Sequence, residues 1–262
     1  MPKSLQSYLD FATETAYLAG RLTLGYFQTG MQPERKEDMT PVTVADRQAE
    51  ELIRSRIEKK YPRHAIVGEE YGLKEAVGSH HRWLVDPIDG TKSFVRGVPL
   101  YAVLIGLEIE GAIAVGVAYF PALDGMLAAA TGEGCWWNGR RAHVSTISNL
   151  AEATVSFSDA GVFEEGDRAE EWRRIKRATY FRPGWGDAYG HSLVATGRIE
   201  LMLDPIMNPW DCGPFPPILS EAGGYFGDWQ GKSTIYANEA LSTSQVLLPE
   251  VLALIRSARE GR

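Results

Sequence analysis

The stretch Trp83-Leu84-Val85-Asp86-Pro87-Ile88-Asp89-Gly90-Thr91-Lys92-Ser93-Phe94 constrains this chain more than any other. An apolar run of strand character delivers two carboxylates, a glycine and a hydroxyl at its end. In this reading Asp86 leaves the strand, Pro87 bars extension of the ladder, and Gly90 permits a tight turn. Backbone N–H groups at Gly90 and Thr91 can then face an anion at the start of the following helix. Two acids converging there suit a hard cation that takes oxygen ligands. Two such cations about 4 Å apart can clamp the attacking and leaving oxygens of a phosphoryl displacement, which calls for three or four acids. Glu69 in Gly68-Glu69-Glu70, Asp46 in Val42-Thr43-Val44-Ala45-Asp46, and Asp211 in Pro209-Trp210-Asp211 are further candidates, each at an element edge. Taken singly, any of these acids reads as a helix cap or a solvated charge, and Asp46 alone passes as an N-cap. An ordinary turn does not explain why Asp86 and Asp89 directly follow an apolar strand.

A chain of 262 residues suits one large unit or two closely packed halves. Leu5, Leu9, Ala12, Ala16, Ala19 and Thr23 recur at helical spacing and predict an amphipathic helix to about Phe27. A second helix is expected over 46–60, ended by Pro62. Strands are expected over 83–85, 98–107 and 112–119, with turns at Gly111 and at Asn138-Gly139, so the middle should be largely antiparallel sheet. Beyond Ala153 the pattern predicts strands at 155–157, 179–182 and 200–203. Helices are expected at 170–177, 189–196 and 214–221, the last ending at Gly223-Gly224. A soft boundary near 142–150 separates an N-terminal half, 1–145, from a C-terminal half, 146–262, within one compact catalytic unit.

Composition excludes several classes. With 44% hydrophobic and 23% charged residues the chain has no disordered character. A formal charge of −7 argues against nucleic acid as a partner. Cys135 and Cys212 alone make neither a disulfide framework nor a thiolate zinc site; Cys212 reads as a packed thiol, and a reducing cytoplasm is the default. Asp10 and Glu14 interrupt the N-terminal stretch, so no signal peptide is expected. No apolar run reaches the roughly 18 residues of a membrane span, and a soluble, cytoplasmic protein follows. His64, His80, His81, His143 and His191 show neither zinc-like spacing nor an obvious serine partner, and His80-His81 reads as a solvated loop pair.

Taken in order, Gly68-Glu69-Glu70, Asp86-Pro87-Ile88-Asp89-Gly90-Thr91, and Trp210-Asp211 followed by Glu221-Ala222-Gly223-Gly224 resemble the signatures of the inositol monophosphatase-like phosphatases. This superfamily is lithium-sensitive and metal-dependent, and the resemblance spans nearly the whole chain. It implies an α+β fold, a layered αβαβα sandwich, usually as a homodimer. It implies Mg²⁺ held by Glu69, Asp86 and the Ile88 carbonyl, and a second ion held by Asp86, Asp89 and Asp211, with two or three ions per active site. It implies that a metal-bound water, positioned by Glu69 and the Thr91 hydroxyl, attacks the phosphorus of a small phosphate monoester in line. Asp46 would hydrogen-bond Thr91, and Asp89, Gly90 and Thr91 would bind the phosphate. No covalent phosphoenzyme is implied. Since a metal brings the pKa of its bound water towards neutrality, no histidine base is needed.

The alcohol portion of the substrate is read from Gly184-Trp185-Gly186-Asp187-Ala188-Tyr189-Gly190 and Asp204. The Gly-Asp-x-Tyr-Gly pattern resembles the histidinol-phosphate phosphatase branch, and Phe94-Val95-Arg96-Gly97-Val98-Pro99 leans the same way. Asp187 and Asp204 would complement the amino group and imidazole of that substrate. Asp187 reads equally as the N-cap of a helix starting near Ala188. Asp204, seven residues before Asp211, matches the family's substrate-binding acid. One departure is Cys212-Gly213-Pro214-Phe215-Pro216-Pro217, whose three prolines should distort the helix start beside Asp211. An inositol-1-phosphate or other polyol-phosphate phosphatase keeps the same site; a catalytically silent metal- or phosphate-binding protein fits the intact acid set less well.

Overall fold

The computed structural model describes residues 4–30, 32–35 and 41–260. The chain begins with α1 (Leu5–Leu24), β1 (Glu34–Arg35), β2 (Pro41–Val42), α2 (Val44–Lys60), β3 (Ala65–Gly68), β4 (Gly72–Lys74), β5 (His81–Asp89) and α3 (Thr91–Val95). It continues with β6 (Ala102–Ile109), β7 (Ala112–Phe120), β8 (Gly125–Ala130), β9 (Gly134–Trp137), β10 (Arg140–Arg141), β11 (Val155–Phe157), α4 (Val162–Glu165) and α5 (Ala169–Ala178). The last elements are α6 (Asp187–Ala195), β12 (Leu201–Asp204), α7 (Pro209–Cys212), α8 (Phe215–Glu221), β13 (Gly224–Gly227), β14 (Ala240–Ser244) and α9 (Leu248–Glu260).

Eight strands form one sheet in the order β10-β9-β8-β7-β6-β5-β3-β4, antiparallel except where β3 runs parallel to β5. A second sheet has the order β11-β12-β14-β13. Strand β6 is buried on both faces, so from Ala102 to Leu107 it reads as a continuous apolar run, with the buried Glu108 after it paired to Arg82. Its odd residues Val103, Ile105 and Leu107 pack with Leu9, Ala12 and Ala16 of α1 and Ile53 and Ile57 of α2. Its even residues Ala102 and Leu104 pack with Leu193 of α6, Cys212 of α7 and Phe215 and Ile218 of α8. Behind the second sheet, Ile175 of α5 and Val251 and Ile255 of α9 pack on Leu201, Leu203 and Leu241. The layers therefore run helix, sheet, helix, sheet, helix, the αβαβα sandwich that the resemblance implies.

Two glycines seat the proline-interrupted segment on the large sheet. Gly106 and Gly116 are cross-strand partners. A Cβ on Gly106 would lie 2.6 Å from the Gly213 carbonyl oxygen, and one on Gly116 would collide with the Pro214 carbonyl oxygen. The three prolines do break the helix: α7 ends at Cys212, and α8 opens at Phe215 with prolines in its first turn.

Several sequence expectations need correction. Strand β5 does not end at Asp86; it runs to Asp89, pairing Asp86 with Leu104 and Asp89 with Ala102 across an irregularity that takes Pro87 out of the ladder. The strand expected over 98–107 starts only at Ala102. That expected over 179–182 is a single bridge, Thr154 to Phe181. Nor is His80-His81 a solvated pair, because His81 opens β5 and stacks on His64 with ring centroids 4.4 Å apart. Among the described residues no helix is long and apolar enough to cross a membrane.

Candidate active site

Helix α2 brings two acids, one turn apart, to the end of the large sheet. Thr43 is its N-cap and Asp46 its third residue, and the two close a capping box: Asp46 Oδ2 accepts from the Thr43 N–H at 2.8 Å. Asp46 is thus not the N-cap itself. Its other oxygen, Oδ1, lies 3.3 Å from Thr91 Oγ1, the contact expected from the resemblance. The Thr91 hydroxyl also reaches the Ile88 carbonyl, at 3.0 Å. Burial pushes the Asp46 carboxyl up to about 6 against the lowering effect of Thr43.

Glu50, four residues on, was not singled out from the sequence. It is fully buried and accepts from the backbone N–H of Glu70 at 2.7 Å and of Tyr71 at 3.2 Å, and from Arg54 Nε at 2.7 Å. It thereby holds the turn that presents Glu69, whose own N–H donates to the Val85 carbonyl at 3.2 Å. An acid within the apolar stripe Ala49, Ile53, Ile57 was the available signal.

At the end of β5, Asp86 Oδ1 accepts from the Ile88 N–H at 2.9 Å, folding the chain so that Asp86 and Asp89 converge. Gly90 takes the turn at φ +80°, with the Leu100 carbonyl and Asp187 Oδ2 each 3.2 Å from where a Cβ would sit. Asp211, third residue of α7, caps that helix through the Asn208 N–H at 2.9 Å. Carboxylate oxygens of Asp86, Asp89 and Asp211 all lie within 4.8 Å of one another. Burial, and then repulsion from Glu69 and Asp89, raises Asp86 well above the carboxylate range. Burial with repulsion from Asp187 and Asp211 does the same to Asp89. Asp211 is pushed up to about 7, burial outweighing its Asn208 bond. Two buried carboxylates and a part-buried third that repel one another, offering only oxygen, are the donor set a hard divalent cation requires.

A cleft of about 270 Å³ joins these acids to Asp187 and Asp204, and Lys92 is its one basic lining residue among the described residues. Asp187 does not cap α6. It is the helix's first residue, in the left-handed region at φ +55°, and the cap is Asp89, whose Oδ2 accepts from the Ala188 N–H at 2.7 Å. Burial, with repulsion from Asp204, raises Asp187 to about 6. Ser158, at the end of β11, donates to Asp204 Oδ1 at 2.7 Å and accepts from the Asp187 N–H at 2.8 Å. The sequence expectation that no histidine has a serine partner fails at His191: its Nδ1 lies 2.7 Å from Ser242 Oγ and its Nε2 3.2 Å from Asp204. Neither Ser158 nor His191 was identified beforehand: Ser158 meets Asp204 46 residues away, and the serine partner of His191 lies 51 residues away in the chain. Cys212 is buried, and desolvation raises its thiol far above the range of a nucleophile, as expected of a packed residue.

The model of the inositol monophosphatase family matches residues 4–260. A histidinol-phosphatase of Chlorobaculum parvum is 42% identical over 256 residues, covering 97% of this chain and 98% of its own. An inositol-1-monophosphatase of Mesorhizobium japonicum is 31% identical over 225 residues, covering 84% of this chain and 85% of its own. The solved inositol monophosphatase of Anabaena superposes with a TM-score of 0.86 at 28% identity, over 97% of each chain. With its acid cluster at the mouth of a five-layered sandwich, this chain belongs to the inositol monophosphatase family and is a phosphatase for small phosphate monoesters.

Proposed function

We propose that the chain hydrolyses L-histidinol phosphate to L-histidinol and phosphate, a step of histidine biosynthesis, using Mg²⁺. The observation that carries this reading is the pair of acids, Asp187 and Asp204, that line the same cleft as Asp86, Asp89 and Asp211. A polyol would meet these carboxylates only as hydrogen-bond acceptors, whereas a cationic amino group and imidazole would also complement their charge. The similarity to proteins named histidinol-phosphatase supports the same choice.

In this reading Glu69, Asp86, the Ile88 carbonyl, Asp89 and Asp211 hold two or three Mg²⁺ ions. When bound, Mg²⁺ supplies Lewis-acid charge and makes water a stronger nucleophile near neutral pH. Glu69 accepts a proton from the attacking water. The Thr91 hydroxyl, 3.3 Å from Asp46 Oδ1, would donate to that carboxylate while its oxygen would accept a hydrogen bond from that water. The N–H groups of Gly90 and Thr91 bind phosphate oxygens. Water attacks phosphorus as the ester bond to the alcohol oxygen breaks; the leaving alkoxide would take a proton from a solvent water, and the hydroxide so formed would be neutralised by the proton that Glu69 accepted. Residues 1–145 contribute Asp46, Glu69, Asp86, Asp89 and Thr91, and residues 146–262 contribute Asp187, Asp204 and Asp211, so the two halves make one catalytic unit. We further take the enzyme to be a lithium-sensitive cytoplasmic homodimer; two buried free cysteines suit a reducing compartment.

Steady-state rates test the substrate. kcat/KM for histidinol phosphate should exceed that for inositol-1-phosphate by at least about tenfold, roughly 1.4 kcal/mol of discrimination. A smaller ratio would favour the polyol-phosphate reading, which the Mesorhizobium relative supports.

A further inference from the structure

Asp204 ends β12, and both of its oxygens are gripped from behind. Oδ1 accepts from Ser158 Oγ at 2.7 Å, and Oδ2 faces His191 Nε2 at 3.2 Å. His191 is completely buried in α6, its ring 4.9 Å from that of Phe215 and 5.4 Å from that of Phe226, centre to centre. Its other nitrogen is engaged by Ser242 Oγ of β14 at 2.7 Å. A carboxylate only accepts, so Nε2 carries the proton of the His191–Asp204 bond whichever way the Ser242 hydroxyl turns. Both ring nitrogens are thereby used, and His191 has no polar atom left for the metal-side acids.

Rotation of a carboxylate about its last bond is soft. Two donors on opposite oxygens fix its plane, and fix which lone pairs remain to face the cleft. Through Ser158 the same brace reaches the backbone of Asp187, the other acid of the pair. Burying a histidine and a serine, His191 and Ser242, behind one aspartate would be a poor way to build a core alone, because hydrophobic groups of the same size fill space without needing partners.

We propose that His191, backed by Ser242, is a positioning residue for substrate specificity: it orients Asp204 to receive the cationic end of the alcohol, and takes no part in the phosphoryl chemistry. This rests on the reading that Asp187 and Asp204 recognise a positively charged alcohol.

The test compares histidinol phosphate with glycerol 2-phosphate, a monoester without a cationic group, on the Mg²⁺-loaded enzyme. His191→Phe should raise KM for histidinol phosphate about tenfold or more, with kcat within about threefold. On glycerol 2-phosphate kcat/KM should move by less than about threefold. His191→Gln, which can still donate to Asp204, should recover most of the loss. In an Asp204→Asn background His191→Phe should add nothing to KM, as expected for groups acting as a unit. Should His191→Phe fail to fold, Ser242→Ala keeps the ring in place and should raise KM for histidinol phosphate about threefold, with the same substrate dependence. Equal loss on both substrates, or discrimination unchanged in the variants of a wild type that does discriminate, overturns the positioning role. A wild type with no preference for histidinol phosphate overturns the substrate reading itself and this inference with it.

Discussion

Stripping divalent ions from the enzyme should make its folding stability fall as pH rises from about 5 to about 8, the reverse of ordinary acid denaturation. The cause is the crowding of Asp86, Asp89 and Asp211, and Asp211 gives the magnitude. Its carboxyl ionises near 3.8 in an unfolded chain and at about 7 in the fold. A raised folded value means that the native state holds the proton more tightly. Stability from this group is therefore complete below about pH 4 and lost as pH climbs through about 7. At about 1.4 kcal/mol per pH unit, the two units between pH 5 and 7 are worth roughly 3 kcal/mol. For a chain of this size that is about 6–12 °C in melting temperature. Asp46 and Asp187, each ionising at about 6, act in the same direction over the lower part of the window. Thermal unfolding in excess chelator across this range reads the slope directly. Saturating Mg²⁺ should flatten it, because a ligand that binds only the folded, ionised cluster adds stability most where protons leave. Asp211→Asn should remove this residue's share of the slope. A chelated protein equally stable at both ends of the window, or an Asp211→Asn variant with the wild-type slope, would refute the reasoning.

Three other perturbations separate the roles of the parts. Thr91→Ala should lower kcat by about a hundredfold with little change in KM, the pattern of a group that matters only during the chemical step; a change confined to KM would contradict it. Glu50→Ala should cost roughly 3–5 kcal/mol in urea unfolding, since it leaves Arg54 and two backbone N–H groups without their shared acceptor, and should lower activity through Glu69. A loss below about 0.5 kcal/mol would mean that the turn stands without it. Gly116→Ala should cost about 1–3 kcal/mol and raise the Mg²⁺ concentration needed for half-maximal rate, as the new methyl displaces Pro214 and the Asp211 segment before it. Unchanged Mg²⁺ dependence would show that the segment yields without moving Asp211.

Periodicity carried much of the fold. The helical spacing of Leu5 to Ala19 and the apolar runs of β6 and β7 announced which faces would be covered, and Gly111 and Asn138-Gly139 announced the hairpins. What local pattern does not encode is long-range pairing. The ladder resumes at Asp89 because Ala102 supplies a partner there, and nothing within β5 itself announces that partner. Asp86 and Asp89 were legible because Pro87 and Gly90 beside them mark the turn that ends an apolar strand, whereas Glu69 and Asp211 were legible only through the order of motifs that resembles the family. Glu50, Ser158 and His191 were not, because each acquires its meaning from a group brought close only by the folded layers: the Glu69 turn, Asp204, and Ser242.

The cap that Asp89 provides to α6 has a consequence for how such an enzyme diverges. One oxygen of a cation-side carboxylate is committed to the N–H that opens the helix beginning with Asp187. Ion affinity and alcohol preference therefore share a mechanical joint. A lineage that reshapes the start of α6 for a new alcohol also tilts Asp89 and must retune its appetite for metal. Changes of substrate in this architecture should accordingly arrive with compensating changes around the ions, and grafting the Gly184–Gly190 segment alone from one relative to another should carry a penalty in Mg²⁺ dependence.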